Sequence, residues 1–391
     1  MRVLFSTTAG SGHFGPLVPF ARACVAAGHA VMVAAPASFS GEVRAAGFEH
    51  RPFADVPPEA LGRVYGRLPS LPVEEATAIV MADVFGRLCA QAALPDLVAI
   101  VDEWRPDIVL REPAEYGSLV AARSAGVAQA VVAIGMMEMI DSVAPLVAAP
   151  LAELDALAGL PEGAAAAALR ASSTLTCVPA VLDRSGRTGS TSTGSIHRYF
   201  DTSLATRAGA LPPAWGDPSQ PLVYVTFGSV AAGMGHFADL YPAVLAAFAD
   251  QPVRVLLTTG QGVDPVDLAP LPPNAHVERW WPQSDVMPHA AAMVGHGGFG
   301  TTMAALAAGV PQVVVPLFSA DQHINGKHVA AVGAGLNLDG GPMAIPVLAE
   351  AVENLVADPA YRTTAQAVAD EMAGLPPVAE AVSLLELLAT P

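Results

Sequence analysis

The stretch 294–325, VGHGGFGTTMAALAAGVPQVVVPLFSADQHIN, limits what this chain can fold into more than any other. The apolar run Ala292, Met293 and Val294 predicts a buried strand, and the loop from Gly295 through His296, Gly297, Gly298 and Phe299 to Gly300 follows it. After Thr301 and Thr302, the good helix formers at 303–308 predict a helix that Gly309 and Pro311 stop, and 312–316 reads as a second strand. Strand, glycine loop and helix start together favour an anion. The glycines admit close approach of backbone N–H groups, and the helix end adds partial positive charge. Thr301 and Thr302 add hydroxyl donors, and His296 adds a ring nitrogen.

The chain begins with the same layout. Residues 2–6 predict a strand, Pro16 suits the first turn of a helix running to Ala27, Gly28 ends it, and 30–35 predicts the next strand. This β-loop-α-β start implies a doubly wound parallel sheet. Residues 10–15 match the dinucleotide fingerprint G-x-G-x-x-G. The acidic residue that should close the second strand is missing, because that strand ends Val33-Ala34-Ala35-Pro36 and the next carboxylate is Glu42. A nicotinamide cofactor is therefore not expected. His13 falls in this loop, at the carboxyl edge of the sheet where α/β proteins place ligands. A strand at 108–110 is followed by Arg111, Glu112, Pro113, Ala114 and Glu115. Two carboxylates at a strand exit can orient a base in a neighbouring loop, although an exposed loop with ordinary charges reads the same way. Past a strand at 131–134, Met136, Met137 and Met139 are adaptable apolar groups, suited to a pocket lining or to core filling.

A chain of 391 residues suggests two domains at roughly 150 residues each. The low-complexity polar run 185–195 marks a boundary. After it the pattern restarts, with strands at 222–227, ending in Gly228-Ser229, and at 253–258. The expected division is an N-terminal Rossmann-like domain at 1–200, a linker at 201–218, a C-terminal Rossmann-like domain at 219–375 and a closing helix at 376–391 that packs back toward the first domain. Formal charge is −17, from 19 basic against 36 acidic residues, with no Lys or Arg run, which argues against nucleic acid or an anionic membrane as partner. Three cysteines without close spacing fit reduced thiols rather than a disulfide framework or zinc site. The first apolar run is too short for a signal peptide, and no apolar stretch reaches about 18 residues, so a cytoplasmic protein is expected.

The elements Trp280-x-Pro282-Gln283, then His296-Gly297-Gly298-x-Gly300-Thr301, then Pro316-x-x-x-x-Asp321-Gln322-x-x-Asn325 make the resemblance specific. The chain resembles a family 1 glycosyltransferase of the GT-B fold, with two Rossmann-like domains facing a central cleft. It is most similar to the bacterial branch that decorates macrolides, enediynes and aromatic polyketides. The resemblance implies that Trp280 stacks on the nucleotide base, with Trp281 and Gln283 beside it. His296, Gly298, Gly300 and Thr301 would hold the diphosphate, helped by Gly228 and Ser229. Asp321 and Gln322 would reach the transferred sugar, and His13 would be the general base. Its acid partner falls on Glu112, where the family usually carries Asp, and Glu115 competes for that role. A lipophilic acceptor would meet Met136, Met137 and Met139. Where the family often has a ribose-gripping Glu, this chain has Ala304, which fits a TDP-sugar better than a UDP-sugar.

The chemistry implied is inverting transfer of a hexose or deoxyhexose. An acceptor hydroxyl, deprotonated by His13, displaces the diphosphate, with no metal and no cofactor beyond the donor. A nucleotide-sugar epimerase and a non-catalytic donor-binding protein share the architecture. An acceptor-side base with a nearby acid counts against both. A monomer or a homodimer is compatible with the sequence.

Overall fold

The computed structural model describes residues 1–183, 193–205, 209–228, 231–233, 237 and 239–390. The chain divides into two compact units. The first comprises Met1–Cys177, Gly186–Asp201 and Pro376–Pro391, and the second Val178–Ser185 and Thr202–Leu375.

The first unit is built on seven parallel strands. They are β1 (Arg2–Ser6), β2 (Ala30–Pro36), β3 (Glu49–Phe53), β4 (Ile108–Arg111), β5 (Ala128–Val132), β6 (Ser173–Thr176) and β7 (Ile196–Arg198), in the order β3-β2-β1-β4-β5-β6-β7. Alternation along each strand sorts the core into two faces. Val3, Phe5, Ile108 and Leu110 pack with Leu17 and Phe20 of the helix Leu17–Ala26 and with Ala381 and Leu385 of the helix Ala381–Leu388. Leu4 and Val109 face the other way, onto Leu97, Ile100, Val101 and Ala121.

Several segments differ from expectation, two of them in the first unit. β7 directly follows the low-complexity run and is not among the predicted strands; it adds the last strand of the first sheet, inside the span 1–200 assigned to the first domain. Residues 73–104 form one continuous helical rod of 32 residues, long and apolar enough by length and composition to cross a membrane. It instead covers the sheet: Ala90, Ala93, Leu94, Leu97, Ile100 and Val101 are buried, packed against the helix Gly117–Ala125. Its outer side carries Arg87, paired with Asp83 and Glu153 at 2.7 Å each. Within it, Val80–Cys89 is wound as a π-helix, and the absent side chain of Gly86 gives Pro150 its space, since a Cβ there would lie 2.8 Å from the proline Cβ.

The second unit has six parallel strands: β8 (Leu222–Thr226), β9 (Arg254–Thr258), β10 (Ala275–Glu278), β11 (Ala290–Gly295), β12 (Gln312–Val314) and β13 (Gly335–Asn337). Their order is β10-β9-β8-β11-β12-β13. All five residues of β8 are buried, as a strand covered on both faces requires. Each sheet therefore reverses its strand order once, between β1 and β4 in the first unit and between β8 and β11 in the second. Ligands in open parallel sheets bind at the carboxyl ends of such strand pairs.

Candidate functional site

In the first unit the reversal brings His13 and Glu112 together. Ser6, the last residue of β1, pairs with Arg111, the last of β4, so the loops after both strands leave side by side. The β1 loop coils into a short helical turn, Ser11–Phe14, after Gly10, whose φ of 136° only glycine adopts readily. His13 Nδ1 lies 3.2 Å from Glu112 Oε1, with the imidazole about a quarter exposed (26%) and the carboxylate fully buried. Oε1 also accepts from the Thr8 hydroxyl at 2.8 Å and the Thr8 N–H at 3.3 Å, and Oε2 accepts from the Ala114 N–H at 2.6 Å. Burial alone would raise the Glu112 pKa. The charge of His13 and hydrogen bonds from His13, Ala114 and Thr8 outweigh it and bring the pKa below the ordinary value. Glu112 is thus an ionised anchor for the Nδ1 side of the ring.

Glu115 is a different kind of residue. Its carboxylate accepts from the Ser118 N–H at 3.1 and 3.2 Å, at the start of the helix Gly117–Ala125, and burial raises its pKa. It caps a helix, and of the two acids Glu112 is the one beside His13. The methionines need a firmer correction. Met136 and Met137 are buried (0% and 1% exposed), and Met139 is packed against the cluster of Val143, Leu151 and Leu154. The chain after β5 turns inward, so Met136 and Met137 have no surface for an acceptor. What does lie beside the base is Phe85, from the π-helical segment, its ring centroid 5.4 Å from that of His13. No periodicity in the sequence distinguished Phe85 from an ordinary helix residue.

In the second unit the reversal sets Gly228 beside His296. Thr226 of β8 pairs with Gly295 of β11, so the loops emerge together. A Cβ on Gly228 would lie 2.7 Å from His296 Cε1, and one on Gly298 would lie 2.5 Å from His296 Nε2. Two glycines therefore make the slot that holds the ring. The slot's burial pushes the His296 pKa down to about 4, against a partial rise from Asp321. His296 is neutral at pH 7 and offers a ring hydrogen bond rather than a charge. Asn325 fixes the loop by donating to the Gly297 carbonyl at 2.7 Å. A sequence motif placed Asn325, but only the fold shows what it does.

The remaining residues separate by surroundings. Gln283 donates to the Thr301 hydroxyl at 2.9 Å, joining the Trp-x-Pro-Gln element to the helix Phe299–Ala307. Trp280 is 72% exposed, with its ring available. Trp281 has a structural role: its indole N–H donates to the Ala210 carbonyl at 3.1 Å, and it packs on the cluster of Leu222, Tyr224 and Met287. The Gln322 side-chain oxygen Oε1 accepts from the N–H groups of Leu317 and Phe318, which leaves its amide nitrogen for a ligand, while Asp321 lies beside it in the first turn of the helix Ala320–Val332. A Cβ on Gly300 would touch nothing within 4 Å, so packing does not require glycine there. Ser229 lies outside the described residues. Among the described residues, no group of three or more His, Cys, Asp or Glu side chains could hold a metal ion.

The low pKa of His296 has a consequence for stability. An unfolded histidine titrates near 6.5 and this one near 4, so as pH falls through that window the unfolded chain takes up the proton first. The stability linked to His296 is complete above about pH 6.5 and is lost toward pH 4, by about 3 kcal/mol at most for a shift of this size. His296→Asn is expected to flatten the decline of melting temperature between about pH 6.5 and 4. An unchanged acid slope would contradict the buried, neutral ring.

Two Rossmann-like parallel sheets in tandem are the architecture of a GT-B glycosyltransferase, and similarity to known proteins agrees. Residues 243–388 match the family described as erythromycin biosynthesis protein CIII-like, C-terminal domain, and residues 66–157 match its N-terminal counterpart. The L-demethylnoviosyl transferase of Streptomyces niveus is 33% identical over 386 residues, covering 96% of this chain and 95% of that protein. The glycosyltransferase SnogD from Streptomyces nogalater superposes with a TM-score of 0.77 at 27% identity, covering 100% of this chain and 99% of that one. SsfS6 from Streptomyces sp. SF2575, solved with thymidine diphosphate, gives 0.73 at 26% identity, covering 99% of each chain. The chain belongs to the family 1 glycosyltransferases of the GT-B fold that act in natural-product biosynthesis.

Proposed function

We propose that this glycosyltransferase moves a deoxysugar from a TDP-sugar to a hydroxyl of a lipophilic natural product by a single, inverting displacement, with His13 as general base and without a metal. The observation that carries the reading is the His13–Glu112 pair, at 3.2 Å, at the strand-order reversal of the first sheet. The acceptor hydroxyl gives its proton to His13 Nε2 as its oxygen bonds the anomeric carbon and the diphosphate leaves. Glu112, ionised and held by Thr8 and Ala114, fixes the ring and stabilises the imidazolium that forms. In the second unit, Trp280 stacks on the base, Gln283 and Gly228 hold the nucleotide side, and His296, Gly298, Gly300 and Thr301 cradle the diphosphate. Asp321 and the Gln322 amide reach the sugar. Neutral His296 and the start of the helix Phe299–Ala307 stabilise the charge gained by the leaving diphosphate through hydrogen bonds and helix dipole.

Thymidine diphosphate is favoured by its presence in the SsfS6 structure and by Ala304, which has no carboxylate to grip a ribose 2′-hydroxyl. A base paired with a buried acid favours transfer over an epimerase or a binding protein. Thermal-shift titration with TDP and UDP, with and without EDTA, tests the donor side. At about 100 times its dissociation constant a ligand adds roughly 2.7 kcal/mol to the native state, a shift of several degrees. The expected result is stabilisation by TDP above UDP, unchanged by EDTA. Equal shifts would remove the meaning given to Ala304, and loss of the TDP shift in EDTA would overturn the metal-independent reading.

A further inference from the structure

Phe85 is a large aromatic side chain that the fold leaves only half-buried. It packs on the cluster that contains Met81, Leu94 and Tyr116, and its ring centroid lies 5.4 Å from that of His13, the two planes tilted by 41°. Its segment, Val80–Cys89, is wound as a π-helix, a rare form that recurs at functional sites. Gly86, the next residue, is buried against Pro150, which pins the segment at this point. The charged neighbours are turned away. Asp83 and Arg87 stand two positions before and after Phe85, so on the far side of the helix, where Arg87 pairs with Asp83 and with Glu153. Four positions before and after it stand Met81, which is buried, and Cys89, whose thiol burial keeps neutral. The helix Pro58–Tyr65 packs on the same segment without burying any of its own side chains: Leu61 and Val64 are half-buried and Tyr65 is exposed. Phe85 thus presents part of an aromatic ring to solvent beside the base, on a stretch of helix whose surroundings are apolar.

We infer that Phe85 is a specificity-determining residue for the acceptor: the open part of its ring receives a flat, uncharged aromatic ring system, and so places that system's hydroxyl at His13. The inference rests on the reading of His13 as base. It narrows the lipophilic acceptor to one class, hydroxylated fused aromatics, in preference to saturated macrolactones. An acceptor hydroxyl has to come within about 2.6–3.2 Å of the base that takes its proton. The carbon skeleton behind that hydroxyl then spreads over the next few ångströms, which is the distance at which Phe85 stands from the imidazole. Any apolar acceptor gains there by leaving water. A flat aromatic system gains more, because ring centroids about 4.5–7 Å apart, offset-stacked or edge to face, attract through their quadrupoles as well as by contact. A puckered, saturated ring has no such term and meets the phenyl ring at a few hydrogens only.

The test titrates the full-length parent, Phe85→Leu and Phe85→Trp with alizarin, a flat dihydroxyanthraquinone, and with a saturated polyhydroxylated macrolactone. Leucine keeps an apolar side chain on the cluster and removes the aromatic ring, whereas tryptophan keeps one. The expected result is an alizarin dissociation constant raised about three- to tenfold by Phe85→Leu and within about twofold of the parent in Phe85→Trp. Macrolactone binding, weaker from the start, should change less than about twofold in both, and TDP affinity, measured as a check on folding, should not change. Equal losses for the two acceptors in Phe85→Leu would make Phe85 a packing residue and overturn the inference. So would a parent that fails to bind alizarin, or one that binds the macrolactone more tightly. If the leucine variant does not fold, the tryptophan variant decides: the emission added by Phe85→Trp is expected to be quenched when alizarin binds, and added emission that alizarin leaves unquenched overturns the inference. Binding is read without turnover. Full transfer by His13→Ala would therefore defeat the base reading and leave the binding result standing, so the two failures are distinguishable.

Discussion

His13→Ala is expected to lower sugar transfer by about 10²–10⁴-fold while leaving TDP binding within about twofold of the parent. The loss follows from the position of the ring. Its Nδ1 side is anchored on a fully buried carboxylate, and in the proposed mechanism Nε2 takes the acceptor proton. Alanine removes that nitrogen and leaves every residue proposed to bind the donor in place, so donor affinity and rate should separate. Glu112→Gln is expected to produce a loss of similar order, because a neutral amide can no longer stabilise an imidazolium, and its NH2 group would oppose the Thr8 and Ala114 donors. Initial rates over a pH series, compared with calorimetric TDP titration, check both variants. A Glu112→Gln enzyme with parental rate and pH profile would show that the pair is structural.

Gly297→Ala should be the most damaging change in the second unit. Gly297 sits at φ 84°, a conformation that costs an alanine about 1–2 kcal/mol. Its new Cβ would also lie 2.7 Å from the Gln322 backbone oxygen and 2.8 Å from Val314 Cγ1. Backbone cannot retreat there, because the Asn325 amide holds Gly297 from one side and β12 backs it from the other. Overpacking of this kind adds about 1–3 kcal/mol, so a total destabilisation of about 2–5 kcal/mol is expected together with lost TDP affinity. Denaturant unfolding with an unchanged slope and a lower midpoint would report it. Gly300→Ala is the contrasting variant: no atom stands within 4 Å of its Cβ, so stability should survive, and any fall in TDP affinity reports contact with the ligand itself. A Gly297→Ala protein as stable as the parent would mean the loop is not held as described.

Much of this was legible in the sequence because glycine, proline and histidine sit where a parallel sheet needs them. The loop after β1, the loop after β11 and the restart of the same pattern in the second half all follow from strand runs leading into glycine loops. The parts that were not legible have local causes. Glu112 and Glu115 leave the same strand three residues apart, and only the turn around Arg111 decides that one faces His13 and the other caps a helix. Met136 and Met137 were assigned to a pocket by chemistry, yet a flexible thioether fills a core equally well, and here it does. Trp280 and Trp281 are neighbours in sequence but differ in surroundings, one exposed and one hydrogen-bonded into the unit. β3 and β13 carry polar or glycine residues and run only five and three residues, too little for a period to show. Phe85 reaches His13 because the helix is locally widened, a departure from regular spacing that no periodicity argument anticipates.

The most direct test is to incubate parent and His13→Ala with a TDP-deoxysugar and a panel of polyketide and other aromatic aglycones, with EDTA present, and follow product by mass spectrometry. Glycosylated product from the parent, its near-complete loss in His13→Ala, and TDP binding retained by both are the expected results. Transfer by His13→Ala at the parental rate, or donor turnover by the parent that yields only an epimerised nucleotide sugar, would contradict the assignment of His13 as the base of a sugar transfer.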